Sequence, residues 1–281
     1  MIALAPSDPS YPSALRDLER PPDPLWIDGL IDVLARPAVA IVGTRRMTGY
    51  GERVARELAM ACAAAGIVVV SGFAQGIDTT AHRGALDGGG QTVAVLGESI
   101  TTFRTTVRGR RRPLVPRIVA SGALISEFAA PLTPRYWTFA QRNATIAALA
   151  RAVLVVEAGE GSGALITAED TRRLGRTLFA VPGPLGSAAS IGTNALIANG
   201  FARALLAPDQ MLRVVGATDA ACAPESAPTD PVLAALRDGP LGVDEIAQRC
   251  RMGGAELRSK IALLLVRGQL APLADGRFRR T

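Results

Sequence analysis

Three short apolar runs, each followed by a glycine, constrain the fold of this chain more than any other feature. They are AVAIV at residues 38–42 before Gly43, IVVV at residues 67–70 before Gly72, and TVAVL at residues 92–96 before Gly97. Each run is continuous rather than alternating and rich in β-branched residues. That pattern predicts strands buried on both faces, as in a parallel sheet with helices on either side. Between the first two runs, Val54, Leu58, Ala61 and Ala65 recur at near-helical spacing and stop at Gly66. A second helix is expected to start near Asp78, which would cap it. In such sheets ligands bind beyond the carboxyl ends of the strands. The turns GTRRMTGYG and SGFAQGID fall at those ends.

The chemistry expected of these turns is anion capture. Glycines let the backbone approach a phosphate, and helix N-terminal N–H groups point at it. The candidates are Gly43, Thr44, Arg45 and Arg46 in the first turn and Gly72, Gln75 and Gly76 in the second. A third turn of the same kind, AGEGSGALITA, offers Ser162, Gly163 and Thr167. Glycines that only make tight turns are the alternative at each. Neither GxGxxG nor GxxxxGK[ST] is present, so no nucleotide cofactor is expected. His82 is the only histidine, and Cys62, Cys222 and Cys250 lack metal-type spacing, so no metal site or Ser-His-Asp triad is expected either. No apolar run reaches about 18 residues and no leader pattern opens the chain, which predicts a cytoplasmic protein without a membrane anchor.

The 281 residues accommodate one large α/β domain and a small second one. Residues 1–37, rich in proline, read as an ordered lead-in with one short helical pattern at residues 13–18. Residues 38–215 read as a doubly wound domain, with further strands at 123–126, 152–157, 177–181 and 202–206 and a helix at 193–199. Residues 216–230 lack large apolar side chains and read as a linker. Residues 231–281 read as three helices, at 231–237, 243–250 and 255–267, then a hairpin turning at Asp275-Gly276. That is the winged-helix pattern, which serves either DNA or protein contact.

Two stretches carry charge signals. The net charge is +6, and only one of the 31 basic residues is a lysine. Arg104, Arg108, Arg110, Arg111, Arg112 and Arg117 cluster without an intervening acid, in a segment read as a basic loop leading into a helix near residues 114–120. The segment PLTPRYWTFAQRN reads as a loop that interleaves Tyr136, Trp137 and Phe139 with Arg135 and Arg142. Aromatics beside arginines suit a single nucleic-acid strand, whose bases stack while its phosphates are neutralised. Trp137 or Phe139 as a core anchor is the alternative.

The succession VAIVGTRR, VVSGFAQGID, TVAVLG, LISEF, TFAQRN, VLVVEA, SGALITA, FAVPG and GTNALIANG resembles the DNA-processing protein A family (DprA, also called Smf). The likeness spans about residues 11–215, and the tail resembles the small winged-helix domain of many members. It implies an extended Rossmann-like fold with a mostly parallel sheet. It further implies a non-catalytic, homodimeric protein that binds single-stranded DNA and loads the RecA recombinase onto it in natural transformation or recombination. By the same resemblance Gly43, Thr44 and Arg45 line the DNA pocket, Phe139 stacks on a base, and Arg142, next to Asn143, is a phosphate or pocket-wall contact. Ser162, Gly163 and Thr167 match a further family turn. Gln75 stands where the family usually has an arginine, which predicts weaker phosphate binding and a flatter salt dependence. The cluster of Arg108, Arg110, Arg111 and Arg112 is expected to restore part of that positive field, or else belongs to a diverged surface loop. FAQRN replaces FPxRN, and loss of the proline frees φ there.

The rival from another class is a binder or hydrolase of a nucleotide-derived small molecule. It would need a carboxylate poised at a phosphate turn, with Glu157 and Glu160 as the nearest in sequence. A transcription factor acting through the winged helix ranks last, since it leaves the large domain without a role.

Overall fold

A computed structural model describes residues 1–130, 132, 134–216, 231–236, 239–250, 252–266, 270–273 and 275–280. It divides into two compact units, Met1–Cys222 and Ala223–Thr281. The expected linker lies outside the described residues except for Gly216.

In the larger unit the elements run β1 (Ile2–Leu4), β2 (Leu25–Gly29), β3 (Ala38–Val42), α1 (Gly49–Ala64), β4 (Val68–Ser71), α2 (Ile77–Asp87) and β5 (Thr92–Leu96). They continue with α3 (Ile100–Thr106), α4 (Leu114–Ser121), β6 (Ala123–Ser126), α5 (Tyr136–Leu149), β7 (Ala152–Val155) and α6 (Gly163–Arg173). The last are β8 (Thr177–Ala180), α7 (Ile191–Ala198), β9 (Arg203–Ala204) and α8 (Pro208–Val215). One nine-stranded sheet holds them in the order β1-β2-β6-β5-β4-β3-β7-β8-β9. From β6 to β9 every pairing is parallel, while β1 and β2 add antiparallel at one edge. Successive residues of β3 point into opposite cores: Ala38, Ala40 and Val42 into one, Val39 and Ile41 into the other. Burial on both faces is the reason these runs do not alternate in hydropathy.

The chain order reverses between β3 and β7, which pair side by side from Val39↔Ala152 to Val42↔Val155. A crevice therefore opens at their carboxyl ends, where neighbouring connections leave for opposite faces of the sheet.

Several elements differ from expectation. Residues 1–37, read as a lead-in, supply two strands of the sheet, and Leu15, Leu25, Ile27 and Val33 are buried in the same core as Val93 and Ile125. The segment read as a basic loop contains α3, held by the Ser99 hydroxyl accepting the Thr102 N–H at 3.1 Å. Its only buried anchors are Ile100 and Phe103, too few to show periodicity. The aromatic–arginine segment read as a loop is mostly helix. α5 starts at Tyr136 because the Thr138 hydroxyl accepts the Arg135 N–H at 3.2 Å and donates to the Arg135 carbonyl at 2.8 Å. The buried face of α1 is Gly51, Ala55, Leu58, Ala59 and Cys62, which shares only Leu58 with the expected stripe, while Val54 and Ala65 pack against the same core from partly buried positions.

The smaller unit holds α9 (Pro231–Ala235), α10 (Val243–Cys250), α11 (Gly254–Val266), β10 (Leu270–Pro272) and β11 (Phe278–Arg280). β10 and β11 pair antiparallel around Gly276, whose φ of +81° suits glycine in a tight turn. Its core gathers Val232, Leu236, Ile246, Leu257, Ile261 and Leu264. This is the helix-helix-helix-hairpin arrangement of a winged helix. Among the described residues, no helix is long and apolar enough to cross a membrane.

Candidate functional site

The first two Gly-rich turns are built against each other. The Ile77 N–H donates to the Thr44 carbonyl at 3.3 Å, and a side chain on Gly76 would start 2.4 Å from that same oxygen. Gly76 also has φ +92°, so both space and conformation call for glycine. On the other side, the Thr44 N–H donates to the Glu157 carbonyl at 2.8 Å, which ties the first turn to the end of β7. The Glu157 carboxylate is buried and turns back to the start of α1. Its oxygens accept the Thr48 N–H at 2.9 Å and the Thr48 hydroxyl, and Gly51 leaves room for it. A negative charge there also complements the helix N-terminus.

Beneath the turns lies Arg142. It is 5% exposed, and its Nη1 donates to the carbonyls of Gly72 and Val95, at the ends of β4 and β5. Its Nε donates to Asn143 Oδ1 at 3.2 Å, and Asn143 Nδ2 donates to the Gly163 carbonyl at 3.3 Å, in the third turn. Asp78, 6% exposed, faces Arg142 across Gly72: a side chain on Gly72 would begin 2.6 Å from Arg142 Nη1 and 2.8 Å from Asp78 Oδ2. Burial pushes the Asp78 carboxyl above its ordinary range, opposed chiefly by the Arg142 charge and by nearby backbone N–H groups. Burial likewise works against the Arg142 charge, and Asp78 supports it. Asp78 does not cap α2 as expected; it sits in the first turn with Gly76 at the cap, and accepts the Ala74 N–H at 3.3 Å.

Above this buried layer is a cleft of about 450 Å³. Gly43, Thr44, Arg45, Arg46, Phe139, Arg142, Asn143, Ser162, Gly163 and Thr167 all line it. Arg45 and Arg46 are exposed, and among the described residues neither guanidinium has a carboxylate within 4.0 Å. The half-buried Phe139 ring has both the Arg45 and the Arg142 guanidinium carbons 5.9 Å from its centre. It lies against Gly97, where a side chain would meet Phe139 Cδ1 at 2.5 Å. Ser162 caps α6 by accepting the Ala164 N–H at 3.4 Å, so that helix directs its N-terminus into the cleft.

Gly72 and Gln75 line an adjoining recess of about 280 Å³ that shares Arg45, Ala74, Phe139 and Arg142 with the main cleft. Gln75 is exposed at its rim. Of the arginine cluster only Arg111 reaches this recess, donating to the Phe73 carbonyl at 3.4 Å. Arg108, Arg110 and Arg112 line neither cavity. Arg104 and Arg117 pair with Asp28 and Asp87. Trp137 is 52% exposed and packs edge-on against Phe128, 5.9 Å between ring centres. It is not the core anchor that its size suggests.

One participant, Phe73, carries no sequence signal, whereas His82 is legible as a residue of the helix beside the second turn. Phe73 has φ +58°, rare for a bulky residue, and is held there by edge-on contact with Phe103 at 5.1 Å and by His82 at 5.5 Å. His82 is fully buried. The Thr92 hydroxyl donates to the Val69 carbonyl, so it accepts from His82 Nδ1–H, and Nε2 has no partner among the described residues. Burial, with Arg142 nearby, lowers its pKa to about 3, which makes it a neutral structural residue. Among the described residues, no cluster of His, Cys, Asp or Glu is arranged to hold a metal.

Comparison with known proteins agrees with this architecture. The profile of DNA recombination-mediator protein A matches residues 3–216, and that of the DprA winged helix domain matches residues 216–276. A candidate DNA processing protein DprA from Mycobacterium tuberculosis is 40% identical over 268 residues, 91% of this chain and 68% of that protein. The X-ray structure of DNA processing protein A from Streptococcus pneumoniae superimposes with a TM-score of 0.70 at 33% identity, covering 75% of this chain and 73% of that one. A structure of the Helicobacter pylori protein, described for its single-stranded DNA binding mode, gives a TM-score of 0.66 at 29% identity, covering 73% and 92%.

Proposed function

Because this chain belongs to the DNA recombination-mediator protein A family, we propose that it binds single-stranded DNA in the cleft at the β3–β7 crevice. In this reading Arg45 and Arg46 neutralise phosphates, the backbone of the first and third turns approaches them, and Phe139 stacks on a base. Arg142 and Asn143 form the wall that fixes Phe139 and the third turn. The observation that carries the proposal is the pairing of an unneutralised guanidinium, Arg45, with a half-buried aromatic ring 5.9 Å away at the cleft mouth. A cation beside a stacking surface is what a single strand requires, and base stacking contributes about 1–3 kcal/mol per base.

The same family membership supports a cytoplasmic role in loading the RecA recombinase during DNA uptake and recombination, with the chain acting as a homodimer. Absence of catalysis is part of the proposal. Glu157 is committed to the start of α1 and Asp78 is buried under the turn, so neither is free to attack or activate a bound nucleotide. Glu160 remains as an exposed carboxylate at the rim.

The test is fluorescence anisotropy with labelled oligo(dT) at several salt concentrations, on the wild type and Arg45→Ala. Expected are preference for single strand over duplex, affinity that falls with salt, and a slope of log K against log salt that drops by about 0.7 in the variant. A protein that ignores oligo(dT) while a mononucleotide raises its melting temperature would refute the proposal and favour the small-ligand alternative.

A further inference from the structure

The recess beyond Phe139 has a composition different from the main cleft. Phe73, Leu96, Phe103 and Phe139 give it flat apolar surface, and Arg45, Gln75, Glu98, Arg111 and Arg142 make it the more polar of the two. At about 280 Å³ it is just below the ~300 Å³ at which pockets for drug-sized ligands begin. That size suits one flat heterocycle. Since it shares Phe139 and Arg45 with the main cleft, a strand crossing the cleft passes its mouth.

The distinctive group is Glu98. Its side chain is half-buried, and among the described residues its carboxylate makes one weak contact, from the Thr106 hydroxyl to Oε2 at 3.5 Å. No guanidinium lies within 4.0 Å of it among the described residues, although Arg111 lines the same recess. A carboxylate that is partly desolvated and has unspent acceptor positions selects for a partner presenting donors. It is also an unusual group to place beside a phosphate site, where it opposes the very charge the cleft attracts. With glutamine rather than arginine at residue 75, one cation fewer is available to neutralise it.

We propose that this recess reads a nucleobase and that Glu98 makes it prefer guanine. This proposal rests on the single-strand reading of the adjoining cleft. Guanine is the base whose Watson–Crick edge carries two parallel donors, N1–H and the N2 amine, matched to the two oxygens of a carboxylate. Its O6 then meets donors at the rim, the Arg111 guanidinium or the Gln75 amide. Adenine and cytosine offer one exocyclic amine each. Thymine offers a single donor, N3–H, flanked by two carbonyls that a bidentate approach would set against the carboxylate oxygens, and is disfavoured. Phe139 closes one wall of the recess, so the base is read by hydrogen bonds while lying against a ring. Sequence preference in single-strand binders more often comes from stacking and backbone flexibility; here the hydrogen-bonding edge supplies it.

The experiment is competition against labelled oligo(dT) by three unlabelled oligomers of equal length. One is all thymidine, one has guanine at every third base, and one has hypoxanthine at those positions, which removes only the N2 amine. The guanine oligomer is expected to compete about tenfold better than oligo(dT), the discrimination of one bidentate base contact, with hypoxanthine between them. In Glu98→Gln the three are expected to fall within about twofold of one another. Equal competition by all three on the wild type overturns the base-reading proposal while leaving the single-strand site intact. So does a guanine preference that survives Glu98→Gln. Failure of every oligomer to bind removes the single-strand reading itself, and this proposal with it.

Discussion

Replacing Arg142 by methionine separates a structural strut from a phosphate ligand. The variant keeps most of the apolar stem and deletes the guanidinium. The carbonyls of Gly72 and Val95 then lose their side-chain donor, and Asp78 loses the charge facing it across Gly72. An unsatisfied buried polar group costs about 1–3 kcal/mol, and removing one partner of a buried charge pair costs about 3–5 kcal/mol. These effects share atoms and overlap, so the expected loss is about 4 kcal/mol, or a melting temperature lower by roughly 8–16 °C for a unit of this size. Both tryptophans, Trp26 and Trp137, lie in the larger unit, so their fluorescence in a denaturant titration reports that unit alone. The pH dependence supplies a second reading. A carboxyl whose folded pKa is raised above its unfolded value near 3.9 loses stability as pH rises through that interval. Burial already raises Asp78, and deleting Arg142 raises it further. Arg142→Met is therefore expected to regain stability on acidification below neutral, and adding Asp78→Asn should recover about 1–2 kcal/mol at pH 7. The reasoning is refuted if Arg142→Met costs less than about 1 kcal/mol yet abolishes oligo(dT) binding, since that pattern belongs to an exposed phosphate contact.

Two further expectations follow from close packing and burial. Gly97→Ala places a methyl 2.5 Å from Phe139 Cδ1, so the ring must shift; oligo(dT) affinity should fall about tenfold, the share of one stacked base, and a loss under about threefold would exclude a positional role for Gly97. His82, with a folded pKa of about 3, is neutral when buried, so its contribution is complete above its unfolded value near 6.5 and is lost as pH falls from there toward 3. That loss is on the order of 5 kcal/mol, and an acid-unfolding curve unchanged in His82→Gln would contradict it.

The parallel sheet was legible because its strands are short, buried on both faces and halted by glycine. β5 and β6 match the expected residues, and so does α10 in the smaller unit. Helix boundaries were less legible where tertiary contacts override local pattern. Prolines before Tyr136 mark a loop, but the Thr138 hydroxyl starts a helix two residues earlier than the side chain that makes the cap. Of the site, the chain order of the turns was readable and their mutual contact was not. Nothing in the string SGFAQGID shows that Gly76 rests on the Thr44 carbonyl, or that Phe73 takes a left-handed conformation. The burial of Arg142 was equally hidden, since arginine is rarely buried and the facing Asp78, the Asn143 amide oxygen and two carbonyls make it tolerable.

The antiparallel edge gives the first residues of the chain a protective role. β6 is buried along its whole length, and β2 occupies its free side from Trp26↔Ser126 to Gly29↔Ala123. The sheet then ends on β1, three residues long and exposed at two of them, a poor template for another chain. A protein trimmed to begin at Ala38, where the hydropathy pattern places the domain, would keep every residue of the cleft. It would also bare a flat, apolar strand whose unpaired backbone invites a neighbour. Such a fragment would fail by clumping rather than by losing its ligand, and its silence in a binding assay would say nothing about Arg45 or Phe139.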